Sequence, residues 1–248
     1  MECKNCGNHF EGQFCNLCGQ NIRVDKLTLQ NFLEELSDSI FQVNHGLFYT
    51  IKCLFVRPGH SIRAFLDGQR KKHVKPIAFV LTLSTVYFLV SQLSDSPTLI
   101  DDFLAGYTDR GEEQGFFAEK SPILHWLSDN YAYATLLMIP VFSFASYIAF
   151  LDLKKNYLEH IVINSFITGQ QALFYSFFMV VGVVSKKEDI TVLIAVIASI
   201  SYNYWAYVQC FMEQKKGSVM LRLFLAYFLS AVFFSVALFV AVVPSLKF

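Results

Sequence analysis

Five long apolar stretches constrain the fold of this 248-residue chain more than any other feature of its sequence. A helix needs about 20 apolar residues to cross a hydrocarbon core of about 30 Å. Inside a bilayer every backbone amide and carbonyl must be hydrogen-bonded within its own segment, which favours helices over strands. A hydrophobic content of 54 % with 16 % charged residues also places most of the chain in lipid. The predicted spans lie near residues 76–95, 131–151, 159–184, 190–212 and 219–243.

Four cysteines near the N-terminus form two Cys-x-x-Cys-Gly knuckles separated by eight residues. Four thiolates complete a tetrahedral shell around Zn²⁺ and leave no open position for water, so the ion is predicted to hold the segment folded and to take no part in catalysis. A disulfide pair or a redox Cys-x-x-Cys is the alternative, which a reducing cytosol disfavours. Phe10 and Phe14 are predicted to form a small apolar plug beside the zinc. The predicted zinc ligands are Cys3, Cys6, Cys15 and Cys18.

The residues between the cysteines and the first span predict an amphipathic, basic juxtamembrane region at 25–75. Within it, a helical apolar pattern at 28–41 is too polar to cross a membrane and is predicted to lie on the membrane surface or against the bundle. An apolar stretch at 46–55 is too short to cross and is predicted to be interfacial. We therefore predict an all-α integral membrane protein. It has a small N-terminal zinc ribbon at 1–24, amphipathic interfacial helices, and a bundle of about five transmembrane helices at 76–248.

Charged residues at the ends of the spans orient the predicted bundle. Six basic residues and Asp67 give a net charge of +5 just before the first span, which places that end in the cytoplasm by the positive-inside rule. The segment 95–129 carries a net charge of −6 and is predicted to lie outside. Lysine pairs at 154–155 and 215–216 agree with this orientation, whereas the pair at 186–187 does not. The N-terminus is thus predicted to be cytoplasmic and the C-terminus external.

The same basic residues are candidates for binding anionic lipid headgroups. Each lysine or arginine near such a surface contributes on the order of 1 kcal/mol. The alternative is that these charges only set the topology. Pro-Gly and Asp-Gly turns within the segment favour a shaped element over a loose basic tail. The candidate headgroup ligands are Arg57, Arg63, Arg70, Lys71, Lys72 and Lys75.

A polar stripe along the third span is the candidate for intramembrane chemistry. Polar groups at membrane depth are costly and usually turn inward. The stripe is interpreted either as a proton relay or substrate lining, which Asn203 and Gln209 of the next span would meet, or as interhelical hydrogen bonding worth about 0.6 kcal/mol per pair. Its residues are Glu159, His160, Asn164, Thr168 and Gln171.

Two features bear on partners. Residues 1–26 carry no net charge, whereas a phosphate-binding face would be basic, so a protein is the predicted partner of the ribbon and nucleic acid is not. Small residues recur along one face of the fifth span, where another helix can approach closely. That face is predicted to pack within the monomer or to form a homo-oligomer interface. Its residues are Ala226, Ser230, Ala237 and Ala241.

Several short motifs of the chain form a set. They are Cys15-Asn16-Leu17-Cys18-Gly19-Gln20, Gly46-Leu47 with Thr50, Pro58-Gly59, Ile62-Arg63, Gly68-Gln69-Arg70, Pro76 and Glu159-His160. With them the chain resembles, over most of its length, an uncharacterised family of bacterial multi-pass membrane proteins best represented in Bacteroidetes-type bacteria. The resemblance implies a bacterial inner membrane and a zinc-ribbon head, and it implies no reaction. The chain departs from the family pattern at Gln69, where lysine is commoner, and at His73, where an aromatic residue is common.

These features favour a non-enzymatic inner-membrane protein whose cytosolic ribbon recruits or senses a partner protein. No His-Glu-x-x-His or similar metalloenzyme motif is present in the sequence. The alternative is a small transporter or lipid-handling membrane enzyme with a polar site around His160 and Asn164. In that case the ribbon would be a regulatory lid.

Overall fold

The computed structural model describes residues 1–21, 46–101, 126–127 and 129–242, with side chains described as far as residue 237. The predicted interfacial helix at 28–41 and most of the acidic segment at 95–129 lie outside the described residues. In the described ranges the chain is helical, apart from the N-terminal head, where two isolated bridges pair Glu2 with His9 and Phe14 with Asn21.

In the ranges that the structure describes, seven helices of nine residues or more follow the head. They are α1 (Gly46–Val56), α2 (Pro58–Leu66), α3 (Pro76–Ser94), α4 (Tyr131–Ala149), α5 (Tyr157–Ser185), α6 (Glu188–Cys210) and α7 (Lys216–Val242), with a 3₁₀ turn at Leu151–Leu153. The five helices α3 to α7 are long and apolar enough to cross a membrane. The predicted all-α fold with about five spans is confirmed, and this architecture is that of a multi-pass membrane protein.

Local sequence explains where the helices begin. Pro58 and Pro76 occupy the first turns of α2 and α3, where a missing backbone N–H costs nothing. Asn156 caps α5: its side chain accepts a hydrogen bond from the Glu159 N–H at 2.8 Å, and the Glu159 carboxylate accepts one from the Asn156 N–H at 2.7 Å. This capping box fixes the start of the longest helix.

Helix α5 lies at the centre of the bundle and packs against α3, α4 and α6. Helix α7 packs mainly against α4 and only lightly against α6. Its outer face exposes large apolar side chains, including Leu221, Phe224 and Phe228, as expected of a surface that faces lipid. In the small-residue face of α7, Ala226 is buried within the monomer while Ala237 is exposed, so only part of that face is used for packing here.

The helical hairpin of α1 and α2 is packed onto α6. Gly59 lies so close to α6 that an added Cβ would clash with Gln209 and with the backbone of Cys210. The Gly59 N–H donates to the Gln209 side-chain oxygen at 3.1 Å, and the Tyr202 hydroxyl donates to the Leu54 carbonyl at 3.1 Å. The segment that precedes the first span is therefore a shaped part of the bundle.

Candidate metal centre and polar interior

The two cysteine knuckles of the head have the same backbone geometry. The Cys3 carbonyl accepts a hydrogen bond from the Gly7 N–H at 2.8 Å, and the Cys15 carbonyl accepts one from the Gly19 N–H at 2.8 Å. Gly7 and Gly19 have φ values of +72° and +69°, in the left-handed region that a glycine adopts without strain. Each knuckle thus needs a glycine directly after its second cysteine.

The four cysteine sulfurs converge. All four Sγ atoms lie within 4.8 Å of one another, with 3.6 Å between Cys3 and Cys18 and 3.7 Å between Cys6 and Cys15. A tetrahedral site with Zn–S bonds of about 2.3 Å separates its sulfurs by about 3.8 Å. The cluster therefore has the donor set and the dimensions of a closed four-thiolate metal site. No other group of three or more candidate ligands is found among the described residues.

The surroundings of two of the four sulfurs, those of Cys15 and Cys18, favour thiolates, the form that binds metal. At Cys6 the backbone hydrogen bond from Asn8 lowers the pKa, but burial and hydrogen bonds with the other three thiols outweigh it and raise that pKa to about 12. Burial alone would raise the pKa of Cys15, but hydrogen bonds from the backbone of Cys18 and Leu17 and from neighbouring thiols outweigh burial and lower it to about 6. The pKa of Cys18 is lowered in the same way against the effect of burial. The Asn8 side-chain amide donates to the Cys15 sulfur at 3.9 Å.

The apolar plug of the head consists of one phenylalanine. Phe10 is buried with 7 % of its surface exposed and contacts Cys3 and Cys15. The prediction that Phe14 joins it is wrong, because Phe14 is 58 % exposed. Phe14 directly precedes Cys15 in an extended bridge, where successive side chains point to opposite sides, so the inward sulfur turns the ring outward. Leu17 is exposed as well.

One side chain docks the head on the bundle. Gln20 is only 6 % exposed, and its amide donates to the Gly68 carbonyl at 2.8 Å. Its side-chain oxygen accepts hydrogen bonds from the backbone N–H groups of Arg70 and Lys71 at 3.2 and 3.3 Å. These three bonds join the second knuckle to the turn between α2 and α3. Nothing in the sequence marked Gln20 for this role.

The predicted headgroup ligands are placed unequally. Arg57, Lys71 and Lys72 are exposed, whereas Arg63 and Lys75 are partly buried. The Arg70 guanidinium donates to the Phe65 carbonyl at 3.4 Å and lies 5.6 Å from the centre of the Phe65 ring. The described basic residues therefore do not form one uniform exposed patch. Binding of anionic headgroups stays a prediction.

His73, in the same segment, is enclosed by aromatic rings. Its ring centre lies 5.3 Å from that of Tyr49, 6.2 Å from that of Phe65 and 6.4 Å from that of Phe166. Burial, reinforced by the charge of Lys72, lowers the pKa of His73 to about 4. This histidine is therefore neutral at pH 7 and packs as an aromatic residue.

The polar stripe of α5 is part of a buried hydrogen-bond network. His160 Nδ1 lies 3.0 Å from the Ser146 hydroxyl, and the Asn164 amide donates to the hydroxyls of Ser143 and Ser146, each at 3.0 Å. The Tyr207 hydroxyl donates to the Asn164 side-chain oxygen at 2.7 Å. The network thus joins α4, α5 and α6 through Asn164. His160 Nε2 has no hydrogen-bond partner among the described residues.

Other members of the stripe lie elsewhere. Thr168 and Gln171 line a cavity of about 330 Å³, which Asn164 and Asn203 also border. The Gln171 amide donates to the Ser199 carbonyl at 3.2 Å. Glu159 takes part in the capping box at the start of α5 and also lies 3.8 Å from the Lys155 ammonium.

Asn203 and Gln209 of α6 differ in their relation to the stripe. Asn203 meets it at the cavity, in agreement with the interpretation that it faces the third span. Gln209 does not, because its side-chain oxygen accepts the hydrogen bond from Gly59 of α2. The expectation that both residues meet the stripe is therefore correct for Asn203 and wrong for Gln209. The contact with α2, which begins at Pro58 and Gly59 far away in the sequence, determines where Gln209 points.

The first three helices carry the similarity to known sequences. Residues 45–88 match a family described as protein of unknown function (DUF3667). No curated protein and no solved structure matches the chain. The matched range contains the motifs from Gly46 to Pro76, and the cysteine knuckles and the Glu159-His160 pair lie outside it. The similarity therefore covers the α1–α2 hairpin and the first part of α3, and it assigns no activity.

An ion pair that the sequence pattern did not indicate joins α7 to the turn after α4. The Arg222 guanidinium donates to both carboxylate oxygens of Asp152, at 2.8 Å for one of them, and to the Ala149 carbonyl at 3.1 Å. The hydrogen bond from Arg222 lowers the pKa of Asp152. A lone arginine in the most apolar span was the only signal for this contact. It fixes the start of α7 beside the end of α4.

Proposed function

We propose that the chain is a bacterial inner-membrane protein whose four-cysteine head binds a structural zinc ion and recruits or senses a partner protein. In this proposal the N-terminus lies in the cytoplasm, the C-terminus lies outside, and the exposed Arg57, Lys71 and Lys72 face anionic lipid. The observation that carries the proposal is the convergence of four sulfurs at tetrahedral spacing. A closed thiolate shell supplies folding energy and offers no open position for catalysis.

Exposed apolar side chains on the head support recruitment of a protein. Met1, Phe14 and Leu17 are all exposed, although the head buries only Phe10 and its cysteines in its own cluster. Apolar side chains on a small polar head are a common feature of protein contact surfaces. The buried Gln20 holds this surface next to the turn between α2 and α3, so a partner on the head would also be held at the bundle.

Metal analysis of the purified full-length chain tests the zinc site. We expect one zinc ion per chain for the wild type and none for the double variant Cys15→Ser, Cys18→Ser. Cys53→Ser is the matched control, because Cys53 lies outside the cluster. A wild-type chain without zinc, or a double variant that retains it, would contradict the proposal.

Copurification from native membranes in mild detergent tests recruitment. A protein that copurifies with the wild type should be lost with Phe14→Asp. Gln13→Asp is the matched control, since it adds the same charge at a neighbouring exposed position of the head. Equal recovery of that protein with both variants would show that the apolar surface of the head is not its binding site.

A second function is favoured by the buried network beside a polar cavity. A small transporter or lipid-handling membrane enzyme would use the polar interior around His160 and Asn164, where three helices meet. His160→Leu and Asn164→Leu test it. Loss of cellular function in folded variants supports this second function, and full function assigns the network to packing.

A further inference from the structure

The cavity beside the polar stripe is lined, among the described residues, by uncharged side chains. It measures about 330 Å³, and its walls come from α4, α5, α6 and α7 together with Ile100. Its polar surface consists of amide and hydroxyl groups, including those of Asn164, Gln171 and Asn203, and none of the described residues that line it is a lysine, arginine, aspartate or glutamate. A site without ionic partners disfavours a charged ligand, because the ligand would lose its hydration without compensation.

One buried acceptor lies at this cavity. Asn203 is almost fully buried and donates from its amide nitrogen to the Tyr227 hydroxyl at 2.5 Å. Its side-chain oxygen has no hydrogen-bond partner among the described residues. An unpaired buried oxygen costs free energy that a ligand hydroxyl would recover by donating to it. The ligand is thus expected to carry a hydrogen-bond donor.

The cavity borders the lipid-facing surface between α6 and α7. These two helices pack only lightly against each other. Ile200 of α6 and Tyr227 of α7 line the cavity and are also exposed on the outer surface. The neighbouring exposed side chains on α7 are apolar, so the approach to the cavity leads through hydrocarbon.

From these three observations we propose that the cavity binds the head of a neutral lipid that carries a free hydroxyl group, and that the acyl chains leave between α6 and α7 into the bilayer. The volume suits a small polar head and excludes two long chains. This inference deepens the second proposed function by naming its ligand class.

Photo-crosslinking to the full-length chain in detergent tests the proposal. Three photoactivatable probes with the same acyl chains are compared: a diacylglycerol with a free hydroxyl, a triacylglycerol without one, and a phosphatidate that carries charge. We expect the diacylglycerol probe to label the wild type at least tenfold more strongly than the other two. The labelled peptides should come from α4, α6 or α7.

Two variants and one control locate the labelling. Asn203→Leu removes the unpaired acceptor. Ile200→Trp blocks the opening of the cavity. Because Ile200 is exposed, the folding of this second variant should not depend on the cavity. Both should lower diacylglycerol labelling about tenfold, whereas Ser235→Leu, at an exposed position of α7, should leave it unchanged. Equal labelling by all three probes, or wild-type labelling in Ile200→Trp, would overturn the proposal.

The same assay separates this inference from the second proposed function. His160 does not line the cavity, so His160→Leu should keep full labelling even where it abolishes cellular function. Labelling together with full cellular function in that variant would support the binding site and contradict the second function. Absence of selective labelling would contradict the binding site and would leave the zinc head and its partner unaffected.

Discussion

The head and the interior of the bundle keep their polar groups in place by different means. The head has one buried phenylalanine and four converging sulfurs, and we expect a core this small to need a bound ion in order to fold residues 1–21. In the bundle, Asn164 holds two serine hydroxyls and the Tyr207 hydroxyl by direct hydrogen bonds between packed helices. We therefore expect order in the head to depend on a bound ligand, whereas order in the bundle rests on contacts within the chain itself.

Removal of the metal should produce the largest difference in stability between the head and the bundle. Structural zinc contributes about 10–16 kcal/mol to the folding of small zinc-binding peptides. We expect a strong chelator, or the double variant Cys15→Ser, Cys18→Ser, to abolish amide-exchange protection in residues 1–21 and to leave α3 to α7 protected. Hydrogen exchange with mass spectrometry measures both regions at once. Protection of the head that survives chelation would mean that the head, too, is ordered by its chain alone.

Within the bundle, disruption of the close packing of α2 against α6 should cause the largest loss of stability. In Gly59→Leu the new side chain would meet Gln209 and the backbone of α6, so α2 must move away. Overpacking of this kind costs about 3 kcal/mol. Gly217→Leu is the matched control, because nothing lies near the Cβ position of Gly217. The thermal unfolding midpoint in detergent should fall for the first variant only, and equal midpoints would refute the close contact of α2 and α6.

The buried network should give the next largest effect. Asn164→Leu keeps the branching of the side chain at Cγ but leaves the Tyr207 hydroxyl without its acceptor, at a cost of about 2 kcal/mol. Thr85→Leu is the control, since Thr85 is exposed and bonds only to its own helix. The thermal unfolding midpoint in detergent is measured for both variants and for the wild type. An unchanged midpoint for Asn164→Leu would show that the network is held by its surroundings and adds no stability.

The sequence predicted the parts of the molecule that depend on local chemistry. Span length and apolar content identified α3 to α7, and the Cys-x-x-Cys-Gly spacing identified the cluster. It did not predict contacts between distant segments, such as Gln20 with Gly68 or Gly59 with Gln209. A glutamine or glycine looks the same in sequence whether or not another segment lies against it. The prediction for Phe14 was wrong for a related reason, because the neighbouring cysteine determines which way the Phe14 ring points.

The contact between the head and the bundle should contribute less stability than the interactions within either region. Gln20→Ala removes three hydrogen bonds to the turn at Gly68–Lys71, two of them long, with an expected loss of about 1 kcal/mol. The head should keep its metal and its own amide protection. Backbone amides of Arg70 and Lys71 should exchange faster, while Gln13→Ala, at an exposed position of the head, should leave them as in the wild type. Loss of zinc in Gln20→Ala would show instead that docking is needed for the fold of the head.

Acidification should destabilise the bundle through one residue, His73. Burial holds its pKa at about 4 in the folded chain, compared with 6.5 for an unperturbed histidine. As the pH falls below 6.5, the unfolded chain takes up a proton that the folded chain refuses, so stability decreases until the pH reaches about 4. Above pH 6.5 this histidine adds no pH dependence.

His73→Phe should remove that dependence and keep the packing, because the ring lies among Tyr49, Phe65 and Phe166. The measurement is the unfolding midpoint of the wild type and of this variant between pH 7 and pH 5. His60→Phe, at an exposed position of α2, is the control and should keep the wild-type slope. The same slope in His73→Phe would assign the acid sensitivity to other groups, such as the thiolates of the head. Order in the bundle would then not depend on the protonation of His73.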